Sequence, residues 1–261
     1  MATAVLRISS SQDIGSRNRQ EDAMIVSSDE SYETKGLLAI LSDGMGGMQD
    51  GDKFSAIATK EMIRCFEEEE QGPDMCQVLL HCYGKAQKVA CAVQPENEDD
   101  WGGATVTAAL FHNGMCAFLS VGDSRIYLLR GGGLIQLNRE QTLGVRLDER
   151  AAMGDLPWSQ VKENKTRKAL IAHLGRESGV EPDVCSRPFM LVPGDRIILM
   201  SDGVFGTLSE SELLPVLSGN MEICANEVIR CVREKEKPGQ DNCSVMIIAV
   251  ELTQETGRNL L

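Results

Sequence analysis

Two apolar runs in this chain, GLLAILS at 36–42 and RIILMS at 196–201, pass directly into Asp-Gly. Each reads as a strand buried on both faces, because it lacks the polar alternation of a strand with one wet side. A strand of that kind needs packing partners above and below it. Each also ends in a carboxylate and then turns on glycine. An unpaired carboxylate at the end of a buried strand is costly unless a cation or hydrogen bonds offset it. Strand ends and the loops after them are where folds tend to hold their chemistry.

The remaining elements suit the same plan. AVLRIS (4–9) and AMIVSS (23–28) read as strands, and 104–137 reads as three or four strands cut by HNG, GDS and GGG. Residues 53–68 and 74–93 carry apolar positions at helical spacing. The polar stretch 138–166 is expected to be a loop or short-helix excursion, and RKALIAHLG (167–175) a short helix. SESELLPVL and MEICANEVIRCVREKE read as two more helices, and CSVMIIAVEL as a closing strand. The acidic runs at 67–70 and 96–100 read as solvated loop or helix ends. With two helix pairs, flanking strands and no linker, a single α+β domain with two sheets between the helix pairs accounts for the length.

Charge and composition narrow the function. The 261-residue chain carries a net charge of −13, which argues against a nucleic-acid partner and against an anionic membrane. No apolar stretch approaches the roughly 20 residues of a membrane span, and the N-terminus lacks a signal pattern, so a cytoplasmic protein is expected. Nine cysteines, with no C-x-x-C pair, read as buried free thiols rather than a disulfide framework or a zinc site. His81, His112 and His173 each read as structural or exposed. No single exposed apolar stripe is evident, so a monomer is the default.

Five aspartates stand at strand ends or turns beside small residues: Asp22, Asp43, Asp123, Asp202 and Asp241. Taken singly, Asp-Gly and Gly-Asp-Ser are ordinary turn sequences. Together they suggest a hard-metal centre, since Mg²⁺ and Mn²⁺ prefer oxygen ligands. Two such ions, roughly 3.5–4 Å apart, share bridging ligands and activate water against a phosphoryl group.

In chain order, R-x-x-x-E-D-A (17–23), DGMGG (43–47), GGAT (102–105), VGDSR (121–125), SDGVFGT (201–207) and QDNCSV (240–245) resemble the metal-dependent Ser/Thr protein phosphatases of the type-2C class, in their bacterial-like form. The likeness spans residues 13–250. It implies a four-layer α-β-β-α sandwich with two mostly antiparallel sheets. Residues 1–252 would form one catalytic domain with a flap near 144–166, followed by a short polar tail at 253–261. It implies a Mn²⁺- or Mg²⁺-dependent phosphatase that hydrolyses phosphoserine and phosphothreonine by direct attack of a metal-bridging water. Asp43 would bridge two ions, with the carbonyl of Gly44 completing one shell. Asp202 and Asp241 would bind the first ion, and Glu21 and Asp22 would hold waters of the second. Asp123, with Asp202, would form a weaker third site. Arg17 would bind phosphate, which suits its planar fork. Phosphorylated proteins would be the substrates, and a Ser/Thr kinase and its targets the partners to look for.

The chain also departs from that pattern. Where many members carry a histidine proposed as general acid, this chain has Met45, which cannot donate a proton. NREQT (138–142) stands where many bacterial members have D-H-S or D-H-T. Two other readings therefore stay open: a catalytically weak member acting as a binding or regulatory module, and a two-metal hydrolase of another phosphate ester.

Overall fold

A computed structural model describes residues 3–45, 50–97, 102–176 and 181–253. The glycines Gly46 and Gly47 of the DGMGG motif, most of the acidic run at 96–100 and the tail beyond 253 lie outside them. Two antiparallel sheets form the centre. The first takes β1 (Thr3–Asp13), β11 (Cys243–Thr253), β10 (Arg196–Met200), β6 (Arg125–Arg130) and β7 (Gly133–Gln136), in that order. The second takes β2 (Asp22–Val26), β3 (Leu37–Asp43), β4 (Val106–His112), β5 (Met115–Val121) and β8 (Asp183–Val184), with β9 (Phe189–Met190) also on β5.

Successive strand side chains point to opposite faces, so one apolar run can feed two cores. In β3, Leu37, Ala39 and Leu41 enter the core between the sheets, and Leu38 and Ile40 enter the core under the helices. In β10, Ile197 and Leu199 face the other sheet, while Ile198 and Met200 face outward to helices. In β11, Met246 and Ile248 face inward, and Val245 and Ile247 outward. This is why both runs read as unbroken apolar sequence.

The outer layers are helix pairs. α2 (Gly51–Glu68) and α3 (Met75–Ala92) cover the second sheet, burying Phe54, Ala58, Met62, Leu79 and Cys82. Asp74 caps α3 by accepting from the backbone N–H of Cys76 at 2.9 Å. α7 (Glu210–Leu217) and α8 (Cys224–Glu234) cover the first sheet with Leu213, Leu217, Val228 and Ile229. Ser209 and Glu212 close a capping box at the start of α7. The expected four-layer sandwich is the observed one. Among the described residues, no helix is long and apolar enough to cross a membrane.

Some local expectations fail. Residues 167–175 are not a helix. Their backbone is used non-locally: Leu143 N donates to Ala169 O, Ile171 N to Gln141 O and Leu174 N to Ala104 O. Leu170 and Leu174 form isolated bridges with Thr142 and Ala104. Those bonds outweigh the helical pattern, so the segment is an extended strap beneath the flap. The flap itself holds two short helices, α4 (Leu143–Ala152) and α5 (Trp158–Glu163). A helix α1 (Asp29–Lys35) and the two-residue strands β8 and β9 carry too little pattern to be foreseen.

Candidate metal centre

The five aspartates converge at one end of the sandwich. Asp22 and Asp43 are direct partners across the antiparallel β2–β3 pair. Met24 and Val26 of β2, and Leu37, Ala39 and Leu41 of β3, pack between the sheets. The period of two therefore aims Asp22 and Asp43 into that same space. From the facing sheet, Ser201 Oγ donates to Asp22 Oδ2 at 2.8 Å. Asp202 opens the short helix α6 (Asp202–Phe205), one residue past the expected strand end. Asp123 lies in the turn between β5 and β6, and Asp241 lies just before β11.

Mutual repulsion and desolvation show in their acidities. Burial pushes Asp22 up to about 6, with Asp202 and Asp241 adding repulsion and the hydrogen bond from Ser201 opposing. Asp43 is held well above its ordinary value, first by desolvation and then by Asp22, Asp202, Asp123 and Asp241. Asp123 rises to about 7 through burial, Asp202 and Glu140. Asp202 is raised by burial and by Asp241, while Lys168, Lys237 and Arg17 oppose. Glu21 is raised by burial, with Arg17 opposing. The cluster holds far more negative than positive charge.

One atom states the deficit directly. Asp22 is buried, at 6 % exposure, and its Oδ1 has no hydrogen-bond partner. Such an orphan is expensive in a protein interior. The donor set, all oxygen and mostly carboxylate, fits hard divalent cations, which would satisfy that oxygen and offset the repulsion.

A polar scaffold holds these groups, and single-residue motifs did not reveal it. Thr105 N donates to Asp43 O at 2.8 Å, and Asp43 N donates to Thr105 Oγ1 at 3.0 Å. Thr105 Oγ1 also lies 2.7 Å from Ser124 Oγ, tying the GGAT stretch to the GDS turn. Asn242 Oδ1 accepts from Glu21 N at 2.8 Å, while its amide donates to Ile14 O and Arg19 O. That one side chain fixes the loop carrying Arg17 and Glu21. Gln240 Nε2 donates to Gly203 O at 2.9 Å and anchors α6. Gly44 sits where an added Cβ would strike the backbone of Gly51 and Glu21, so only glycine permits the approach.

Arg17 is drawn into the cluster: its Nη2 donates to Asp241 Oδ2 at 2.7 Å. Met45 N donates to Gly103 O, and its thioether offers no proton. His81 is exposed on α3, His112 ends β4, and His173 is buried, its acidity increased by desolvation. A cleft of about 400 Å³ runs from Asp123 and Asp202 to the flap, lined also by Arg125, Asp148, Arg167 and Lys168.

The model of the protein phosphatase 2C family matches residues 14–237. The chain belongs to that family. It is 26 % identical over 222 residues to the serine/threonine phosphatase stp of Listeria monocytogenes, covering 84 % of this chain and 86 % of the relative. It is 32 % identical over 219 residues to the serine/threonine protein phosphatase PstP of Mycobacterium tuberculosis, covering 82 % of this chain and 39 % of that longer protein. The PstP catalytic domain, solved in complex with two manganese ions, superposes with a TM-score of 0.74 at 27 % identity, over 95 % of this chain and all of that one. The S. agalactiae serine/threonine phosphatase shares the fold with a TM-score of 0.80 at 23 % identity, over 95 % of this chain and all of that one. The class is that of metal-dependent serine/threonine phosphatases, and its two-metal chemistry is the one the carboxylate cluster fits.

Proposed function

We propose that this chain removes phosphate from phosphoserine and phosphothreonine in proteins, using residues 1–252 as one catalytic unit, with phosphoproteins as its partners. The orphaned Oδ1 of Asp22, buried among like-charged carboxylates, carries the site assignment. Asp43 would be shared by two Mn²⁺ or Mg²⁺ ions, with the Gly44 carbonyl beside it. Asp202 and Asp241 would hold the first ion, Asp22 and Glu21 the waters of the second, and Asp123 with Asp202 a weaker third. When bound, the ions supply an activated water and neutralise charge on the phosphoryl group.

The chain's own residues prepare that chemistry. Ser201 fixes the Asp22 carboxylate by a hydrogen bond, and Thr105 fixes the backbone that carries Asp43, so the two positions need little reorganisation when substrate arrives. Arg17, held on Asp241 by a charge-assisted bond, presents its remaining N–H donors at the edge of the cluster, where a phosphate dianion would dock. With methionine at position 45, the leaving alkoxide takes its proton from solvent or from another group of the cleft.

Purified protein incubated with a phosphothreonine peptide should release phosphate with Mn²⁺ and stop when excess chelator is added. Folded, Mn²⁺-saturated protein without turnover would overturn the catalytic reading and favour a docking role.

A further inference from the structure

Outside the carboxylate centre, the described residues bring a second, chemically different donor set together. Cys65 and Glu69 stand one helical turn apart at the C-terminal end of α2, and His81 faces them from α3. The Cys65 sulfur, a Glu69 carboxylate oxygen and a His81 ring nitrogen all lie within 4.8 Å of one another. His81 Nε2 is 2.9 Å from Glu69 Oε2, and Lys85 Nζ donates to Glu69 Oε1 at 3.0 Å. Cys65 is fully buried while His81 is exposed, so the set opens from a buried sulfur to solvent.

We propose that Cys65, Glu69 and His81 form a zinc site that clips α2 to α3, with water in the fourth position. Sulfur, imidazole nitrogen and carboxylate oxygen together select Zn²⁺ over the hard ions suited to the aspartate cluster. On binding, the Cys65 thiol loses its proton to solvent, and the ion replaces the His81–Glu69 hydrogen bond. One thiolate and one carboxylate then balance the two charges of the ion. Lys85 keeps its bond to the other Glu69 oxygen and so orients that ligand. Burial makes the Cys65 thiol harder to ionise, and the Glu69 carboxylate adds to this, while a hydrogen bond with Cys82 and the nearby charges of Lys85 and Arg64 work the other way. The helix α2 begins at Gly51, against Glu21, and ends at this donor set. A clip there would steady the outer layer without touching the reacting groups.

Cobalt provides the test, because Co²⁺ bound to a thiolate shows a sulfur-to-metal charge-transfer band in the near ultraviolet. The full chain, with Mn²⁺ present in excess, should develop that band with one equivalent of Co²⁺, and added Zn²⁺ should remove it. His81→Ala, at an exposed position, should weaken Co²⁺ binding at least about tenfold and leave Mn²⁺-dependent turnover unchanged. Cys65→Ser should abolish the band, and Asp43→Asn should leave it intact. No band, or a band unchanged by His81→Ala, would overturn the proposal. Failure here would leave the phosphatase reading untouched, since that reading rests on Mn²⁺-dependent turnover.

Discussion

Asp123→Asn offers the sharpest test of the idea that the centre is strained by its own charge. Asp123 is raised from 3.8 to about 7, first by burial, then by Asp202 and Glu140. A carboxyl moved that far carries about 4 kcal/mol of differential free energy, and relaxation and water entry bring the expected value to about 2–4 kcal/mol. The sign follows from proton binding. Below about pH 4 the group is protonated in both folded and unfolded chains and costs nothing. As pH rises toward 7 the unfolded chain ionises while the folded one keeps its proton, so stability falls. Above about 7 the full penalty is present. The amide of Asn keeps the shape and carries no charge. In excess chelator, urea denaturation should therefore show the variant gaining stability over wild type. The gain should grow by up to about 1.4 kcal/mol per pH unit between pH 4 and 7 and then level off. With saturating Mn²⁺ the difference should shrink, because ions relieve the same repulsion in the wild type. A stability difference that is flat across this pH range would refute the reasoning.

Asp43→Asn should lower phosphothreonine-peptide turnover by at least about a hundredfold while the protein stays folded by circular dichroism; near-wild-type rates would remove Asp43 from the site. Arg17→Ala should raise KM more than it lowers kcat, because the guanidinium is assigned to hold phosphate rather than to react, and steady-state kinetics at saturating Mn²⁺ would separate the two. Gly203→Ala should cost about 3 kcal/mol or more, since the new methyl would meet the carbonyl of Asn242; soluble, normally stable protein in a urea melt would contradict that packing. Arg130→Met should cost about 3 kcal/mol by stripping the buried Asp195 of its two-bond partner, and a melt within 0.5 kcal/mol of wild type, about the scatter of ordinary surface substitutions, would disprove it.

Much of the layering was legible in sequence because burial on both faces writes itself into the chain. GLLAILS, RIILMS and CSVMIIAVEL are apolar at nearly every position, since alternate residues serve different cores. The outer helices were legible for the complementary reason: one face of α2 repeats Phe54, Ala58, Met62 and Cys65 at helical spacing. Asp43, Asp123 and Asp202 were visible as residues because each sits between serine and glycine at the end of an apolar run, whereas Asp22 and Asp241 stood out only through the order of the motifs around them. The strap at 167–175 was misread because its hydrogen bonds go to residues 104, 141 and 143, and local periodicity carries no trace of distant partners.

By itself, the sequence determined the types of the long core strands and outer helices, the two-sided burial and the presence of carboxylates at strand ends. These depend on short-range spacing and on the cost of leaving apolar side chains in water. Only the tertiary structure decided that Asp22 faces Asp43 across one strand pair, and that Ser201 reaches Asp22 from the opposite sheet. It also decided that Asn242 pins the loop of Arg17, and that Cys65 and Glu69 meet His81. Each of those contacts joins segments whose approach is set by sheet pairing and helix packing, not by the residues adjoining them in the chain.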